Sequence, residues 1–355
     1  MEAIKSQDSI VYFNNECYVS LNKHLKETNY SKLFIIVDEN TLEHCYPVFC
    51  SNIETTLEIE VIQIEAGETN KNIETCSGVW NALSELNADR KCLVINVGGG
   101  VVTDLGGFVA STYKRGVNYI NVPTSLLAMV DASVGGKTGV DLGNLKNQIG
   151  VINTSEMVLI DTTFLNTLPQ NEMRSGLAEM LKHGLIQDEQ YWNKMIDLST
   201  LTSSDLDGLI HESVIIKNRV VTQDPTEEGI RKTLNFGHTL GHAIESYYLE
   251  NENKTTLLHG EAVAIGMVLA CYISTKLTNL NMDTCNSIKK TILDTYEKVH
   301  FEAEDFNPII ELMKFDKKNS HGNINFVLLS AIGDTVIDQV VPNNIIKESF
   351  NYYMN

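Results

Sequence analysis

Basic residues and long apolar runs are scarce in this chain of 355 residues. It carries 27 Lys and Arg against 46 Asp and Glu, which gives a formal net charge of -19. This surplus of negative charge disfavours nucleic acid and anionic membrane surfaces as partners. No apolar run reaches the length of a membrane span, and residues 1–5 lack the apolar core of a signal peptide. We therefore expect a complete cytoplasmic protein that binds neither nucleic acid nor membrane.

Paired cysteines and several familiar catalytic signatures are also missing. The 7 cysteines are scattered and contain no Cys-x-x-Cys pair, which is typical of reduced thiols in the cytosol. The glycine turn at residues 98–100 is neither a Gly-x-Gly-x-x-Gly motif nor a Walker A loop. Thr239 stands where the zinc-protease motif His-Glu-x-x-His requires Glu, so peptide hydrolysis by that motif is excluded.

The first half of the chain alternates apolar, strand-like runs with helical patterns. The strand-like runs are residues 33–37, 57–64, 92–97 and 119–123. Such alternation predicts an α/β, Rossmann-like N-terminal domain with a parallel sheet, which we place at residues 1–165. Residues 166–355 are mainly helical in pattern, for example at 172–185 and 206–221, with a small hairpin at 325–329 and 335–337. We expect a mainly α-helical C-terminal domain that binds metal and substrate.

Several polar or glycine-rich positions follow the predicted strands, at the edge where parallel sheets bind ligands. Asp38 could accept ribose hydroxyls or could cap the next helix. Gly98 to Gly100 could let the backbone approach a phosphate, or could form a purely structural turn. Further along, two glycines beside Lys137 make a loop that can wrap an anion, and a solvated surface loop is the alternative.

Histidines form the most informative pattern in the sequence. His238 and His242 are four residues apart and share one face of a predicted helix, and His259 follows. Such a cluster suits a divalent metal or a proton relay. Glu179 lies in an apolar helical pattern, where a buried carboxylate needs a cation or a metal. Glu179, His238 and His259 would leave one coordination position open for substrate. A competing set uses both His238 and His242, and spacing alone leaves both sets open.

Cations and amides occur near these histidines in an otherwise acidic chain. They are Lys217, Arg231, Lys232 and Asn235, with Lys317 and Lys318 further along. Several cations together indicate an anionic substrate that carries phosphate or carboxylate. A solvated helix face is the ordinary alternative, above all for Lys317 and Lys318.

Together these stretches resemble the 3-dehydroquinate synthase family of sugar-phosphate cyclases. The matching stretches run in order along nearly the whole chain: Gly67-Glu68-x-x-Lys71, 98–104, 108–116, 123–141, Lys146-Asn147, 176–182, 231–245, 259–267 and Asp316-Lys317-Lys318. The resemblance implies a dehydroquinate synthase-like fold, bound NAD, a homodimer and a catalytic divalent metal, which is zinc or, as an alternative, cobalt. Two departures are a longer stretch at 250–256 and the proline at Pro225.

The resemblance also implies a role for each matched residue. The metal ligands would be Glu179, His238 and His259, which leaves His242 for proton transfer. The catalytic residues would be Lys137, Lys182, Lys217, Arg231, Asn235 and His242. Further substrate contacts would come from Arg115, Asp131, Asn147 and one or both of Lys317 and Lys318. NAD would contact Asp38, Asn40, Glu68, Lys71, Gly100, Val101, Val102, Thr103, Asp104, Thr124, Ser125, Lys137, Lys146, Phe164, Leu165, Asn166 and Thr167.

The family reaction is the expected function. It converts the phosphorylated sugar acid 3-deoxy-D-arabino-heptulosonate 7-phosphate to 3-dehydroquinate and phosphate, in the shikimate pathway to chorismate and the aromatic amino acids. A hydroxyl is oxidised transiently by NAD, phosphate is eliminated, the hydride returns, and an aldol closure forms the ring. The alternatives are another sugar-phosphate cyclase and a metal-dependent polyol dehydrogenase, and the density of cations disfavours the second.

Overall fold

The computed structural model describes residues 1–143, 145–196, 203–315 and 324–355. The chain divides into two compact units, Met1–Pro169 and Gln170–Asn355. The first is built on a mostly parallel sheet and the second is mainly helical. The fold class expected from the sequence is therefore confirmed.

The first unit contains nine strands and five α-helices within its described residues. The strands are β1 (Ile4–Ser6), β2 (Ser9–Phe13), β3 (Leu33–Asp38), β4 (Ile59–Ile64), β5 (Leu93–Gly98), β6 (Asn118–Pro123), β7 (Lys137–Leu142), β8 (Leu145–Ile152) and β9 (Met157–Ile160). The helices are α1 (Asn15–Glu27), α2 (Glu39–His44), α3 (Tyr46–Ser51), α4 (Ile73–Glu85) and α5 (Gly100–Thr112).

The main sheet of this unit has the strand order β1-β2-β9-β6-β5-β3-β4. β1 pairs antiparallel with β2, and every other neighbouring pair is parallel. β3 and β5 are buried along almost their whole length, as apolar strands covered on both faces should be. The register pairs Gly98 with Pro123, and β3, the neighbour of β5 on its other side, ends at Asp38. The positions after β3, β5 and β6 therefore lie along the carboxyl edge of one sheet.

Two hairpins in this unit were not expected from the sequence. β1 and β2 form one, and β7 and β8 form the other, as a separate two-stranded sheet. The two glycines beside Lys137, Gly135 and Gly136, lie in a bend with positive φ, and Lys137 itself begins the strand β7. Its glycine Gly139 pairs with Gly150, and a Cβ on Gly139 would come within 2.9 Å of the Gly150 Cα. A glycine-rich run can thus be a closely paired strand, which composition alone does not reveal.

The second unit consists of helices and one hairpin within its described residues. The helices are α6 (Gln170–Gln187), α7 (Glu189–Met195), α8 (Ser203–Gln223), α9 (His238–Glu250), α10 (His259–Leu277), α11 (Met282–Thr295), α12 (Phe306–Leu312) and α13 (Asn343–Met354). The hairpin joins β10 (Asn325–Ala331) to β11 (Asp334–Val340). Among the residues described, only α10 is long and apolar enough to cross a membrane, and it is mostly buried against α6, α9, α11 and α13, as a core helix would be.

Glycines let α6, α9 and α10 approach each other backbone to backbone. A Cβ on Gly266 of α10 would overlap the carbonyl oxygen of Gly237, at the start of α9. A Cβ on Gly241 would lie 3.0 Å from the Val263 Cα. At the start of α10, a Cβ on Gly260 would overlap the carbonyl oxygen of Ser175 in α6. The beginnings of α9 and α10 are therefore held against each other, and the beginning of α10 is held against α6.

The first prediction tests this close helix contact. Gly266→Ala should destabilise the protein by about 1–3 kcal/mol, because the new methyl group must displace backbone rather than a flexible side chain. Gly208→Ala, in the exposed part of α8 where nothing lies within 4 Å of a new Cβ, is the matched control. The control should stabilise by roughly 0.5–1 kcal/mol. Urea unfolding measures both, and equal effects would contradict the packing argument.

Candidate active site

Three side chains from α6, α9 and α10 point their polar atoms at one spot. Nε2 of His238 lies 3.3 Å from Glu179 Oε1, and Nε2 of His259 lies 3.9 Å from the same oxygen. Glu179 is fully buried, and its Oε1 has no hydrogen-bond partner. An unsatisfied carboxylate oxygen facing two imidazole nitrogens is the donor set expected around a divalent metal.

The other nitrogen of each imidazole is held by an acceptor. His238 Nδ1 donates to the carbonyl oxygen of Phe236 at 3.1 Å, and His259 Nδ1 donates to Glu245 Oε2, also at 3.1 Å. A carbonyl or carboxylate oxygen only accepts, so the proton of each neutral ring belongs on Nδ1. Nε2 of both rings is left with its lone pair directed toward Glu179.

The charge on Glu179 is supported by its neighbours. Burial alone would raise the pKa of this carboxyl group, but nearby positive charge, above all that of Lys182, outweighs the burial and holds the pKa well below its ordinary value. Lys182 is itself buried and donates a hydrogen bond to Glu179 Oε2. Glu179 is therefore ionised at neutral pH, as a metal ligand must be.

His242 lies beside the two other histidines. The ring centroid of His242 lies 5.2 Å from that of His238 and 5.5 Å from that of His259. One ligand atom from each of the three rings lies within 4.8 Å of the others. The structure thus brings together Glu179, His238, His242 and His259, which are the members of both ligand sets that the sequence left open.

Two further residues expected from the sequence, Arg231 and Asn235, lie just before α9 and are organised by the segment 224–229. Asp224 accepts hydrogen bonds from the backbone of Glu228, Gly229 and Arg231 at 3.0, 2.7 and 3.0 Å. The Arg231 side chain is buried and donates to the carbonyl oxygen of Pro225 at 2.7 Å. The Asn235 side chain donates to Glu227 Oε1 at 2.8 Å.

Lys217 is buried on α8, four residues after Ser213. Ser213 in turn is hydrogen bonded to His183 Nδ1 at 2.7 Å. His183 lies on α6 next to Lys182, so this bond joins the helices that carry Lys182 and Lys217. Lys317 and Lys318 lie outside the described residues.

In the first unit, the carboxyl edge of the sheet presents the start of α5. Gly99 is the N-cap residue, and Gly100 to Thr103 form the first helical turn. The Thr103 hydroxyl is hydrogen bonded to the carbonyl oxygens of Gly99 and Gly100 at 3.1 and 3.2 Å. The first amides of an α-helix have no partners inside the helix, which makes this turn suitable for a phosphate. Along the same edge, the backbone N–H of Thr124 donates a hydrogen bond to the carbonyl oxygen of Gly98 at 3.0 Å.

Asp38, at the end of β3, caps α2. Its Oδ1 accepts from Thr41 N at 2.8 Å, and the Thr41 hydroxyl accepts from Asp38 N at 2.9 Å. Of the two roles considered above for Asp38, the structure shows the helix cap, which uses Oδ1. Asn40 follows on the exposed first turn of α2.

A buried lysine connects α5 to the β7–β8 hairpin. Lys71 Nζ lies 2.6 Å from Asp104 Oδ2 and 2.7 Å from Asn147 Oδ1. Burial opposes the charge on Lys71, yet Asp104 and Glu68 raise its pKa above the ordinary value. Burial also raises the pKa of Asp104, and Lys71 offsets part of that rise. Lys146 completes the network with an ion pair to Glu68 at 3.0 Å.

The remaining expected residues of the first unit are distributed around these groups. Arg115 is exposed in a tight turn with a φ of 70°, and Lys137 begins β7. Asp131 lies in the helical turn Ala128–Ala132, which follows the partly buried Ser125 along the chain. Phe164, Leu165, Asn166 and Thr167 belong to the short 3-10 helix Thr162–Thr167, which Asp161 caps.

Sequence reasoning missed two carboxylates, Glu245 and Asp224. Glu245 follows His238 by seven residues and His242 by three, so helical spacing places all three on one face of α9. This spacing is the sequence signal that could have identified Glu245. Asp224 has no such signal, because its hydrogen bonds depend on how the loop after it folds.

Comparison with known structures places the fold in a class. The chain superposes with a TM-score of 0.84 on a 2-deoxy-scyllo-inosose synthase complexed with carbaglucose-6-phosphate, NAD+ and Co2+, at 22% identity and covering 99% of this chain and 100% of that one. It superposes equally well, with a TM-score of 0.84, on a 2-epi-5-epi-valiolone synthase from Streptomyces hygroscopicus with NAD+ and Zn2+ bound, at 24% identity and covering 100% of this chain and 99% of that one. The fold is that of the sugar-phosphate cyclases.

Sequence relatives identify the family more narrowly. The family models for the 3-dehydroquinate synthase N-terminal and C-terminal domains match residues 61–175 and 176–319. A 3-dehydroquinate synthase from Parabacteroides distasonis is 44% identical over 335 residues, which is 94% of this chain and 94% of that protein. The chain belongs to the 3-dehydroquinate synthase family.

The second prediction tests the buried ion pair of the first unit. Lys71→Met should destabilise the protein by on the order of 3 kcal/mol, because it leaves Asp104 without its counter-charge. Adding Asp104→Asn should recover part of this loss, since an amide needs no cation. Lys91→Met, at an exposed lysine of the same unit, should change stability by less than about 0.5 kcal/mol. Denaturant unfolding measures all of these variants, and the argument fails if the double variant is no more stable than Lys71→Met.

Proposed function

We propose that this protein is a metal- and NAD-dependent 3-dehydroquinate synthase. It would convert 3-deoxy-D-arabino-heptulosonate 7-phosphate to 3-dehydroquinate and phosphate. The observation that carries the proposal is the convergence of Glu179, His238 and His259 on one spot, in a chain that is 44% identical to a 3-dehydroquinate synthase over nearly its whole length.

The metal site is proposed to consist of Glu179, His238 and His259. Its support is the buried Oε1 of Glu179, which lacks a hydrogen-bond partner, and the two Nε2 lone pairs directed toward it. Two nitrogens and one carboxylate oxygen suit zinc, and the related cyclase structures hold Zn2+ or Co2+. A metal held by these three residues would supply a Lewis acid for the substrate hydroxyl, and NAD would supply a reversible hydride acceptor.

NAD is proposed to lie along the carboxyl edge of the first unit's sheet. The first turn of α5, from Gly100 to Thr103, would meet the pyrophosphate through backbone amides. A Cβ on Gly99 would lie 3.3 Å from Ser125 Oγ, so glycine lets Ser125 pack closely against the N-cap of α5. The other proposed contacts are Asp38, Asn40, Glu68, Lys71, Asp104, Thr124, Lys137, Lys146 and the turn from Phe164 to Thr167. The first unit would thus bind NAD, and the second would bind the metal and much of the substrate.

The cationic residues are proposed to bind the phosphate and carboxylate groups of the substrate. Lys182 and Arg231 are nearly fully buried, so their charges would act in a region of low dielectric, where attraction to an anion is strong. Asn235 would orient a substrate hydroxyl, and His242 would accept and return its proton. Lys137, Lys217, Arg115, Asp131 and Asn147 are the other proposed substrate contacts.

The alternatives are less well supported. The cyclases with other products are related at only 22% and 24% identity, against 44% for the Parabacteroides distasonis enzyme. A polyol dehydrogenase has a neutral substrate and would not require buried cations such as Lys182, Lys217 and Arg231. A homodimer and a cytoplasmic location stay predictions from the sequence.

The third prediction is the activity itself. The protein supplied with 3-deoxy-D-arabino-heptulosonate 7-phosphate, NAD and Zn2+ or Co2+ should release phosphate and form 3-dehydroquinate, without NADH accumulating. Phosphate assay, product chromatography and absorbance of NADH measure these outcomes. Absence of phosphate release would refute the proposal, and steady accumulation of NADH with glycerol would favour the polyol dehydrogenase.

The fourth prediction separates the histidines of α9. His238→Ala should lose the metal, because it removes one of the proposed ligands. His242→Ala should retain the metal but turn over about 100-fold more slowly or worse, because it removes the proposed proton carrier. Metal content by atomic spectroscopy and kcat measure the difference. Equal loss of metal in the two variants would overturn this division of roles.

A further inference from the structure

Glu245 is a carboxylate in direct contact with a proposed metal-binding imidazole, that of His259. It lies on α9, on the face that also carries His238 and His242, and its side chain is 12% exposed. Its Oε2 lies 3.1 Å from Nδ1 of His259, on the neighbouring helix α10. The contact is therefore made across the close packing of α9 and α10.

The two histidines of the site are supported in different ways. The Nδ1 of His238 is held by a backbone carbonyl, that of Phe236, and the ring is 10% exposed. The ring of His259 is 29% exposed, and it stands at the first residue of α10, directly after the segment Asn251–Leu258. At His259 it is a side chain, that of Glu245, that accepts the hydrogen bond from Nδ1.

We propose that Glu245 is a positioning residue that holds His259 in the Nδ1–H tautomer and directs its Nε2 toward the metal. A carboxylate that accepts a hydrogen bond from Nδ1–H also makes the imidazole a stronger electron donor at Nε2. This inference rests on the proposed function only in that Glu179, His238 and His259 bind a metal. It assigns a part to Glu245 that neither the motif spacing nor the family match had assigned.

The test is zinc binding by the full-length protein, with no substrate present. After the metal is removed by chelation, zinc affinity is measured by competition with a chromophoric chelator. Glu245→Ala should raise the dissociation constant about 10- to 100-fold, the range usual for an outer residue that orients a ligand. Glu245→Gln should have a smaller effect, because the amide oxygen still accepts the hydrogen bond but carries no charge. Glu250→Gln, at the exposed last residue of α9, is the matched control and should bind as the wild type does.

Two further measurements separate positioning from general stability. The visible spectrum of the Co2+-loaded protein should change in Glu245→Ala, since a reoriented imidazole alters the ligand field, and should stay unchanged in Glu250→Gln. In a His259→Ala background, adding Glu245→Ala should produce no further loss of zinc affinity. An additional loss of the same size there would show that Glu245 acts elsewhere.

The outcomes distinguish this inference from the proposed function. If the wild type binds no zinc, the proposed metal site itself is wrong. If the wild type binds zinc and a folded Glu245→Ala binds it with the same affinity and the same Co2+ spectrum, Glu245 has no positioning role. Should circular dichroism show that Glu245→Ala does not fold, Glu245→Gln decides the matter, and unchanged affinity and spectrum in that variant refute the inference.

Discussion

The close approach of α6, α9 and α10 is the constraint on which the rest of the site depends. Gly237 and Gly241 let α9 meet α10 backbone to backbone, and Gly260 lets α10 begin against Ser175 of α6. Helices separated by ordinary side chains have axes 8–10 Å apart or more. The glycine contacts fix how α9 and α10, and α10 and α6, lie against each other, and so they set the positions from which Glu179, His238 and His259 converge.

This acidic protein buries several positively charged side chains, which its net charge does not reveal. Lys71, Lys182, Lys217 and Arg231 are all buried, although lysine and arginine are seldom found inside proteins. Carboxylates compensate at least two of them, Asp104 for Lys71 and Glu179 for Lys182. Such fixed, desolvated cations are suited to a small anion, while the negative charge of the chain as a whole repels large polyanions. Within each unit, buried charge is therefore a better guide to the kind of ligand than charge summed over the chain.

Much of the fold was predictable, and the exceptions have identifiable physical causes. The strands β3, β5 and β6 and the helices α6 and α8 were visible as apolar periodicity, since each buries a continuous face. The β7–β8 hairpin was not, because its glycines and exposed residues carry no alternating pattern. The residues of the proposed metal site were recognisable by residue type. Glu245 escaped notice because a glutamate on a helix is ordinary until its partner on another helix is known.

The fold class, the family and the residues available for chemistry follow from the sequence, because they depend on local periodicity and on motifs in order along the chain. Which atoms meet depends on the tertiary structure. It directed Nε2 rather than Nδ1 of His238 and His259 toward Glu179, since Phe236 O and Glu245 occupy the other nitrogen of each ring. It also used Oδ1 of Asp38 for a helix cap. Hydrogen bonds between distant residues arise from packing, and packing is a property of the folded chain as a whole.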